Sequence, residues 1–137
     1  MDLMNKYSHL NLRLTPQRIA ILDYLQGNRS HPSAEDIYRA VAKKFSTISL
    51  ATVYNTLSAL ERRGQLLRLT IDPIKARYDP NTFPHHHLIC THCKMIEDVD
   101  THYRLALPDT TFEVTGSHVE FYGTCPKCRK MRRETGN

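Results

Sequence analysis

The sequence predicts an α+β protein made of two small units, a winged helix-turn-helix followed by a small α/β domain. Two observations lead to this prediction: three helical stretches precede a short hairpin in the first half, and two Cys-x-x-Cys pairs bracket most of the second half. A chain of 137 residues is long enough for two very small domains. We expect the winged helix over residues 1–80, a hinge over 81–84 and a metal-binding domain over 85–137.

The first unit contains three predicted helices, each with a recognisable start. Thr15 precedes Pro16, and proline is tolerated at a first helical position. Ser33 and Asp36 form a capping box, and Ser49 caps the third helix. Apolar residues at helical spacing predict the buried faces. These residues are Ile21, Leu22, Leu25, Ile37, Val41, Phe45, Leu50, Val53, Leu57 and Leu60.

Two extended stretches, 66–71 and 76–78, follow the third helix and predict the two-stranded wing. The turn between them, residues 72–75, is rich in turn-forming residues and places Lys75 and Arg77 where a wing meets phosphate.

In the second unit, residues 87–89, 95–96, 111–115 and 118–122 predict short strands. A short helix over 101–107 would end at Pro108. We expect the polar, basic tail over 129–137 to be disordered.

The net charge of +5 and the pI near 9.1 suit an anionic partner such as nucleic acid. There is no long apolar run and no export signal, so we expect a cytoplasmic protein without a membrane partner. In a reducing cytoplasm, paired cysteines are more often thiolate ligands than disulfides.

The four cysteines predict a structural zinc site. Four thiolates surround Zn2+ tetrahedrally and leave no open position for a substrate. The ligands are Cys90, Cys93, Cys125 and Cys128.

A second metal site is predicted around the histidine cluster. His85 and His87 alternate along a strand and so share one face, whereas His86 points to the other. With Asp79 and Asp98 they offer nitrogen and oxygen ligands, which suit Fe2+, Mn2+ or Zn2+.

Five motifs together resemble the Fur family of bacterial metal-dependent repressors, in that family's order and over nearly the whole chain. They are Leu14-Thr-Pro-Gln-Arg18, His31-Pro-Ser-Ala-Glu-Asp-Ile-Tyr38, Ala51-Thr-Val-Tyr-Asn55, His85-His-His-Leu-Ile-Cys90 and Tyr122-Gly-Thr-Cys-Pro-Lys-Cys128. The resemblance implies a homodimer that binds a palindromic operator, with structural Zn2+ on the four cysteines. It also implies a regulatory Fe2+ or Mn2+ site on His31, Asp79, His85, His87 and Asp98.

Two positions resemble the peroxide-sensing, PerR-like subgroup: the acidic ligand is Asp98, and Asn55 follows Ala-Thr-Val-Tyr. This resemblance implies that bound Fe2+ reacts with peroxide and that His31 or His85 is then oxidised, which releases the operator. Mn2+ on the same ligands would lack that reactivity.

The polar face of the third helix is where a helix-turn-helix reads bases. Asn55 is suited to adenine and Tyr54 to a thymine methyl group. The full set of expected DNA contacts is Arg18, Ser49, Thr52, Tyr54, Asn55, Lys75 and Arg77.

Several alternatives stay open at this point. An iron-responsive or zinc-responsive repressor would share this architecture without sensing peroxide. A metalloenzyme could use two histidines and a carboxylate, but five protein ligands leave little room for substrate, so we expect no enzyme. A zinc-stapled adaptor would leave the winged helix unexplained. His118 is either a domain histidine or a ligand of a further metal site.

Overall fold

The computed structural model describes residues 6–100 and 107–134. The chain divides into two compact units, Met1–Thr82 and Phe83–Asn137. Helices are the main regular elements of the first unit and a small sheet organises the second, so the predicted α+β class is confirmed.

The described part of the first unit contains a 3-10 helix, followed by three α-helices that start at the predicted caps. The bounds are Ser8–Leu10 for the 3-10 helix, Pro16–Leu25 for α1, Ala34–Ala42 for α2 and Leu50–Arg62 for α3. The side chains of Thr15, Ser33 and Ser49 each accept a hydrogen bond from the backbone N–H three residues further on. Ser33 and Asp36 complete the capping box at α2.

The apolar faces of these three helices form most of the core of the first unit. Ile21, Ile37 and Leu57 are fully buried within it. Leu50 was predicted to join this core and does not, since it is 37% exposed. The buried stripe of α3 starts later, at Val53.

A two-stranded hairpin follows α3 and completes the winged helix, as predicted. Strand β1 spans Leu67–Leu69 and pairs antiparallel with β2, Arg77–Asp79. In the connecting turn the carboxylate of Asp72 accepts a hydrogen bond from the N–H of Ile74 at 2.9 Å. This bond is the Asx-type contact that favours aspartate in turns.

The second unit is built on a three-stranded sheet of order β4-β3-β5. Its elements are β3 (His86–Cys90), β4 (Ile96–Val99), β5 (Glu120–Gly123) and the helix α4 (Pro126–Glu134). Strand β3 pairs antiparallel with β4 and parallel with β5, with Cys90 opposite Gly123. Because parallel strands end at the same edge, the two Cys-x-x-Cys turns follow β3 and β5 side by side.

Two predictions for this unit are wrong. Residues 111–115 form no strand, and their large apolar side chains, Phe112 and Val114, are exposed. The tail is not disordered over 129–134, because α4 continues to Glu134. The start of α4 is fixed by Cys125, whose carbonyl accepts from the N–H of Arg129 at 2.9 Å. Most of the helix predicted over 101–107 lies outside the described residues.

Within the two described ranges, no helix combines the length and the apolar character needed to cross a membrane.

Candidate metal centres and nucleic-acid interface

The four cysteines converge on one small volume of the second unit. The sulfur atoms of Cys90, Cys93, Cys125 and Cys128 all lie within 4.8 Å of one another. The Sγ atoms of Cys93 and Cys125 are 3.8 Å apart. A tetrahedral Zn2+ site with Zn–S bonds of about 2.3 Å separates its sulfurs by about 3.8 Å, so this donor set fits zinc.

Backbone hydrogen bonds hold the two cysteine turns together. The N–H of Thr91 donates to the carbonyl of Gly123 at 2.8 Å, which extends the β3–β5 pairing into the turn. The N–H of Lys94 donates to the carbonyl of Cys90 at 2.9 Å, and Lys94 adopts the left-handed conformation, with φ 65°. The first turn is therefore a closed knuckle whose two sulfurs face Cys125.

The pKa values of the cysteine thiols and the spacing of their sulfurs favour a bound cation. The backbone N–H of Cys125 donates to the sulfur of Cys90 at 3.4 Å and, with other N–H groups, lowers the pKa of Cys90 to about 5. Hydrogen bonding to Cys125 and burial raise the pKa of Cys128 to about 12. Four thiolates at this spacing repel one another, and a divalent metal removes that penalty.

The second unit also gathers two histidines around one carboxylate. Nε2 of His85 lies 3.1 Å from Oδ1 of Asp98, and Nε2 of His87 lies 3.5 Å from the same oxygen. All three side chains are almost fully buried. The rings of His85 and His87 are 4.5 Å apart between centroids, which confirms that they share a face.

The neighbouring histidines take other roles. Nδ1 of His86 accepts the N–H of Val119 at 2.9 Å, which ties β3 to the start of β5. Nδ1 of His87 lies 2.9 Å from Nε2 of His118. Burial and the nearby charge of His87 lower the pKa of His118, which favours its neutral form. A neutral His118 therefore orients the imidazole of His87, a role that the sequence did not reveal.

The first unit contributes a buried histidine and a buried carboxylate. Nε2 of His31 lies 3.4 Å from Oδ2 of Asp79, and both side chains are at most 2% exposed. These residues are 48 positions apart in the sequence, and they meet because β2 is bonded to the segment before α2, where the N–H of Tyr78 donates to the carbonyl of Pro32 at 2.8 Å. Imidazole and carboxylate donors suit a divalent iron or manganese ion.

The polar face of α3 presents most of the predicted base-reading residues. Tyr54 and Asn55 are exposed. The hydroxyl of Tyr54 donates to Oε1 of Glu35 at 3.0 Å. The N–H of Glu35 itself and this hydroxyl lower the pKa of the Glu35 carboxyl group. Glu35 thus fixes the ring of Tyr54, a contact that was not predicted from the sequence.

Ser49 and Thr52 lie at the start of the same helix, where their hydroxyl oxygens are 2.9 Å apart. Ser49 is exposed and Thr52 is half-buried.

The predicted phosphate-binding residues differ in exposure. Lys75 is exposed on the wing, and the half-buried Arg18 donates to the carbonyl of Arg13 at 3.0 Å. Arg77, in contrast, is buried and binds the carboxylate of Asp72 at 3.2 Å. A buried guanidinium in an ion pair braces the wing, a role that the sequence did not suggest.

A winged helix with a buried histidine–aspartate pair, followed along the chain by a domain with a four-thiolate cluster and a second histidine–aspartate group, defines a metal-dependent, DNA-binding regulator. Residues 9–122 match the model of the ferric uptake regulator family. The chain belongs to this family, whose members are transcriptional regulators rather than enzymes.

Within this family, the chain is similar to proteins that are named peroxide regulators. The chain is 42% identical over 126 residues to the peroxide-responsive repressor PerR of Staphylococcus epidermidis, covering 87% of this chain and 83% of that protein. It is also 42% identical over 126 residues to the peroxide operon regulator of Bacillus subtilis, and that alignment covers 87% of this chain and 86% of that protein. The crystal structure of the Campylobacter jejuni peroxide stress regulator is similar to this structure, with a TM-score of 0.65 and 28% sequence identity. The match covers 93% of this chain and 100% of that chain.

Proposed function

We propose that this protein is a metal-dependent transcriptional repressor that senses hydrogen peroxide through oxidation of a histidine ligand. The observation that carries the proposal is the pair of buried histidine–aspartate groups, one in each unit, with no cysteine in either. Two relatives that share 42% identity with this chain are named a peroxide-responsive repressor and a peroxide operon regulator, which supports the same function.

Five residues would hold the regulatory ion: His31, Asp79, His85, His87 and Asp98. Three imidazoles and two carboxylates form a set of intermediate hardness that suits Fe2+ or Mn2+. Bound Fe2+ would supply reactivity toward peroxide, whereas bound Mn2+ would not.

The chain's own residues decide what happens at such an ion. One oxygen of Asp98 lies within 3.5 Å of Nε2 of both His85 and His87, so these three donor atoms converge on one position that an ion could take. His118 would hold His87 in one tautomer through its nitrogen-to-nitrogen contact of 2.9 Å. His31 and His85 are the proposed targets of oxidation, following the resemblance to the peroxide-sensing subgroup at Asp98 and Asn55. An oxidised imidazole is a poorer ligand, so the regulatory site would be lost.

Metal binding would control DNA affinity through the hinge at residues 81–84. An ion held by residues of both units would favour one arrangement of them, and only that arrangement would let two recognition helices of a homodimer reach successive major grooves. The operator would then be palindromic, matching the two-fold symmetry of the dimer. A repressor of this kind works in the cytoplasm, where its operators are.

On the DNA, Tyr54 and Asn55 would read base edges from α3 while Ser49 and Thr52 support its first turn. Arg18 and Lys75 would contact phosphate. Arg77 is left out of this set because its guanidinium is buried and bound to Asp72. Structural Zn2+ on the four cysteines would hold the second unit together throughout.

The test is DNA binding under three metal conditions. Operator fragments are first selected from genomic DNA with the Mn2+-loaded protein, and affinity is then measured by fluorescence anisotropy. We expect tight binding with Mn2+ or Fe2+, weak binding with the zinc-only protein, and loss of binding after peroxide in the Fe2+ form alone. If peroxide leaves the DNA affinity of the Fe2+ form unchanged, an iron- or zinc-responsive repressor is favoured. If the DNA affinity is the same with and without the regulatory metal, the proposal is refuted.

A further inference from the structure

Three consecutive residues of β2 contact the two residues that lead into α2. Nε of Arg77 donates to the carbonyl oxygen of His31 at 2.5 Å. The N–H of Tyr78 donates to the carbonyl oxygen of Pro32 at 2.8 Å. The carboxylate of Asp79 lies 3.4 Å from the ring of His31. The second strand of the wing therefore holds this segment by a side chain, a backbone group and a second side chain in turn.

His31 needs such support because its backbone is in an unusual conformation. Its φ is 52°, in the left-handed region that residues other than glycine rarely adopt. A residue other than glycine keeps a left-handed backbone conformation only where the surrounding structure holds it there. The peptide carbonyl of His31 is the group that Arg77 binds, so this bond restrains the backbone of His31 and with it the direction in which its side chain leaves the chain.

Arg77 is itself held in place. Its Nη1 lies 3.2 Å from Oδ2 of Asp72, and both residues are buried. The other carboxylate oxygen of Asp72 accepts the N–H of Ile74 at 2.9 Å, within the turn of the wing. A buried charge that is both paired and hydrogen-bonded keeps one geometry. A continuous set of contacts thus runs from the turn of the wing to the backbone of His31.

We propose that Arg77 is a positioning residue for the regulatory metal site: by binding the carbonyl of His31 it presets the imidazole for the ion. Asp72 acts through Arg77. This inference rests on the proposed function, in which His31 is a ligand. Arginine suits the position because its fork binds the carbonyl with Nε and the carboxylate with Nη1 at the same time, which a lysine ammonium does not reproduce.

The experiment measures Mn2+ affinity by isothermal titration calorimetry on the full-length, zinc-loaded protein. Residues that orient a ligand without touching the ion contribute about 10- to 100-fold to metal affinity, so we expect Arg77→Gln to weaken Mn2+ binding by that factor. Arg77→Lys and Asp72→Asn should show smaller losses. The zinc content and the helical circular dichroism should stay at wild-type values.

The matched control is Arg39→Gln, which removes an exposed arginine of α2 that also pairs with an aspartate, Asp36. It should leave Mn2+ affinity unchanged. Arg77→Lys keeps a buried positive charge beside Asp72, so it provides the same test if Arg77→Gln does not fold.

A purely structural role for Arg77 predicts a different pattern. The folded Arg77 variants would then unfold at lower temperature but bind Mn2+ with wild-type affinity, and that result would overturn the inference alone. His31→Ala separates this failure from that of the proposed function. If His31→Ala also binds Mn2+ as the wild type does, His31 is not a ligand, and both proposals fall.

Discussion

His87 and Asp98 stand directly opposite each other in the antiparallel pair of β3 and β4, and their side chains approach to 3.5 Å. Residues opposite each other in such a pair project to the same face of the sheet. His85, two positions before His87, projects to that face as well. The strand register therefore builds the imidazole–carboxylate group, and a shift by one residue would take Asp98 away from it.

The register predicts that Asp98 and its neighbour Glu97 differ sharply in function. Residues that only hold a ligand in place contribute about 10- to 100-fold to metal affinity. Asp98→Ala should weaken Mn2+ binding by more than this, because a direct ligand is lost. Glu97→Gln is the matched control, since Glu97 is exposed and lies opposite Leu88 instead. Titration calorimetry measures both affinities. Equal effects of the two substitutions would contradict the assignment of Asp98 as a ligand.

The cysteine cluster predicts that the second unit depends on zinc. Cys93→Ser should lose nearly all bound zinc and destabilise this unit, since structural zinc sites contribute about 10–16 kcal/mol in small zinc-finger peptides. Zinc content is read by native mass spectrometry and unfolding by circular dichroism. His92→Ala changes the exposed neighbour within the same turn and should do neither. A zinc-free Cys93→Ser protein with wild-type stability would argue against a structural metal.

Local sequence signals predicted the first unit well, and for clear physical reasons. The caps at Thr15, Ser33 and Ser49 and the helical spacing of apolar residues are properties of short segments, and the structure confirms all three helix starts. The wing was also predicted, from a turn flanked by extended stretches. What was not predictable is the burial of Arg77, because the partner carbonyl of His31 lies 46 residues away along the chain.

The second unit was harder to predict because its elements depend on partners distant in sequence. Residues 111–115 have the composition of a strand, yet composition alone does not supply a neighbouring strand. The basic tail has no apolar stripe, and α4 begins at Pro126, directly after the zinc-ligand candidate Cys125, whose carbonyl accepts its first helical hydrogen bond. The contact of His118 with His87 similarly follows from the parallel β3–β5 pairing, which places residues 31 positions apart side by side.

The Asp72–Arg77 pair predicts how stability depends on pH. Burial by itself raises the pKa of Asp72, but the N–H of Ile74 and the Arg77 guanidinium outweigh it and lower that pKa. The ionised carboxylate therefore stabilises the fold above the unfolded pKa of about 3.9, and this contribution is lost as the pH falls through the lower pKa of the folded state.

Asp72→Asn should accordingly lower the free energy of unfolding at pH 7 by on the order of 1–3 kcal/mol. The difference from the wild type should shrink steadily below about pH 4. Urea unfolding at several pH values measures it. A difference that stays constant from pH 7 down to pH 3 would show that the charge of Asp72 is not what stabilises the wing.

The interface predicts two kinds of DNA-binding defect. Asn55→Ala should weaken operator binding by about 1–3 kcal/mol and leave binding to unrelated DNA unchanged, because base contacts carry specificity. Lys75→Ala should weaken both about equally and reduce the salt-dependence slope by about 1, because phosphate contacts release counterions. Fluorescence anisotropy over a range of salt concentrations separates the two. A uniform loss for Asn55→Ala would place it on the phosphate backbone instead.

The most direct test of peroxide sensing is mass spectrometry of the zinc-loaded protein after it binds Fe2+ or Mn2+ and receives a slight excess of peroxide. Tryptic cleavage gives Ser30–Arg39, in which His31 is the sole histidine, and Tyr78–Lys94, in which fragment ions distinguish His85 from His86 and His92. We expect a single-oxygen gain on His31 or His85 in the Fe2+ form, none in the Mn2+ form, and none on His86 or His92. An Fe2+ form that loses no operator affinity and gains no oxygen on either ligand would contradict the account.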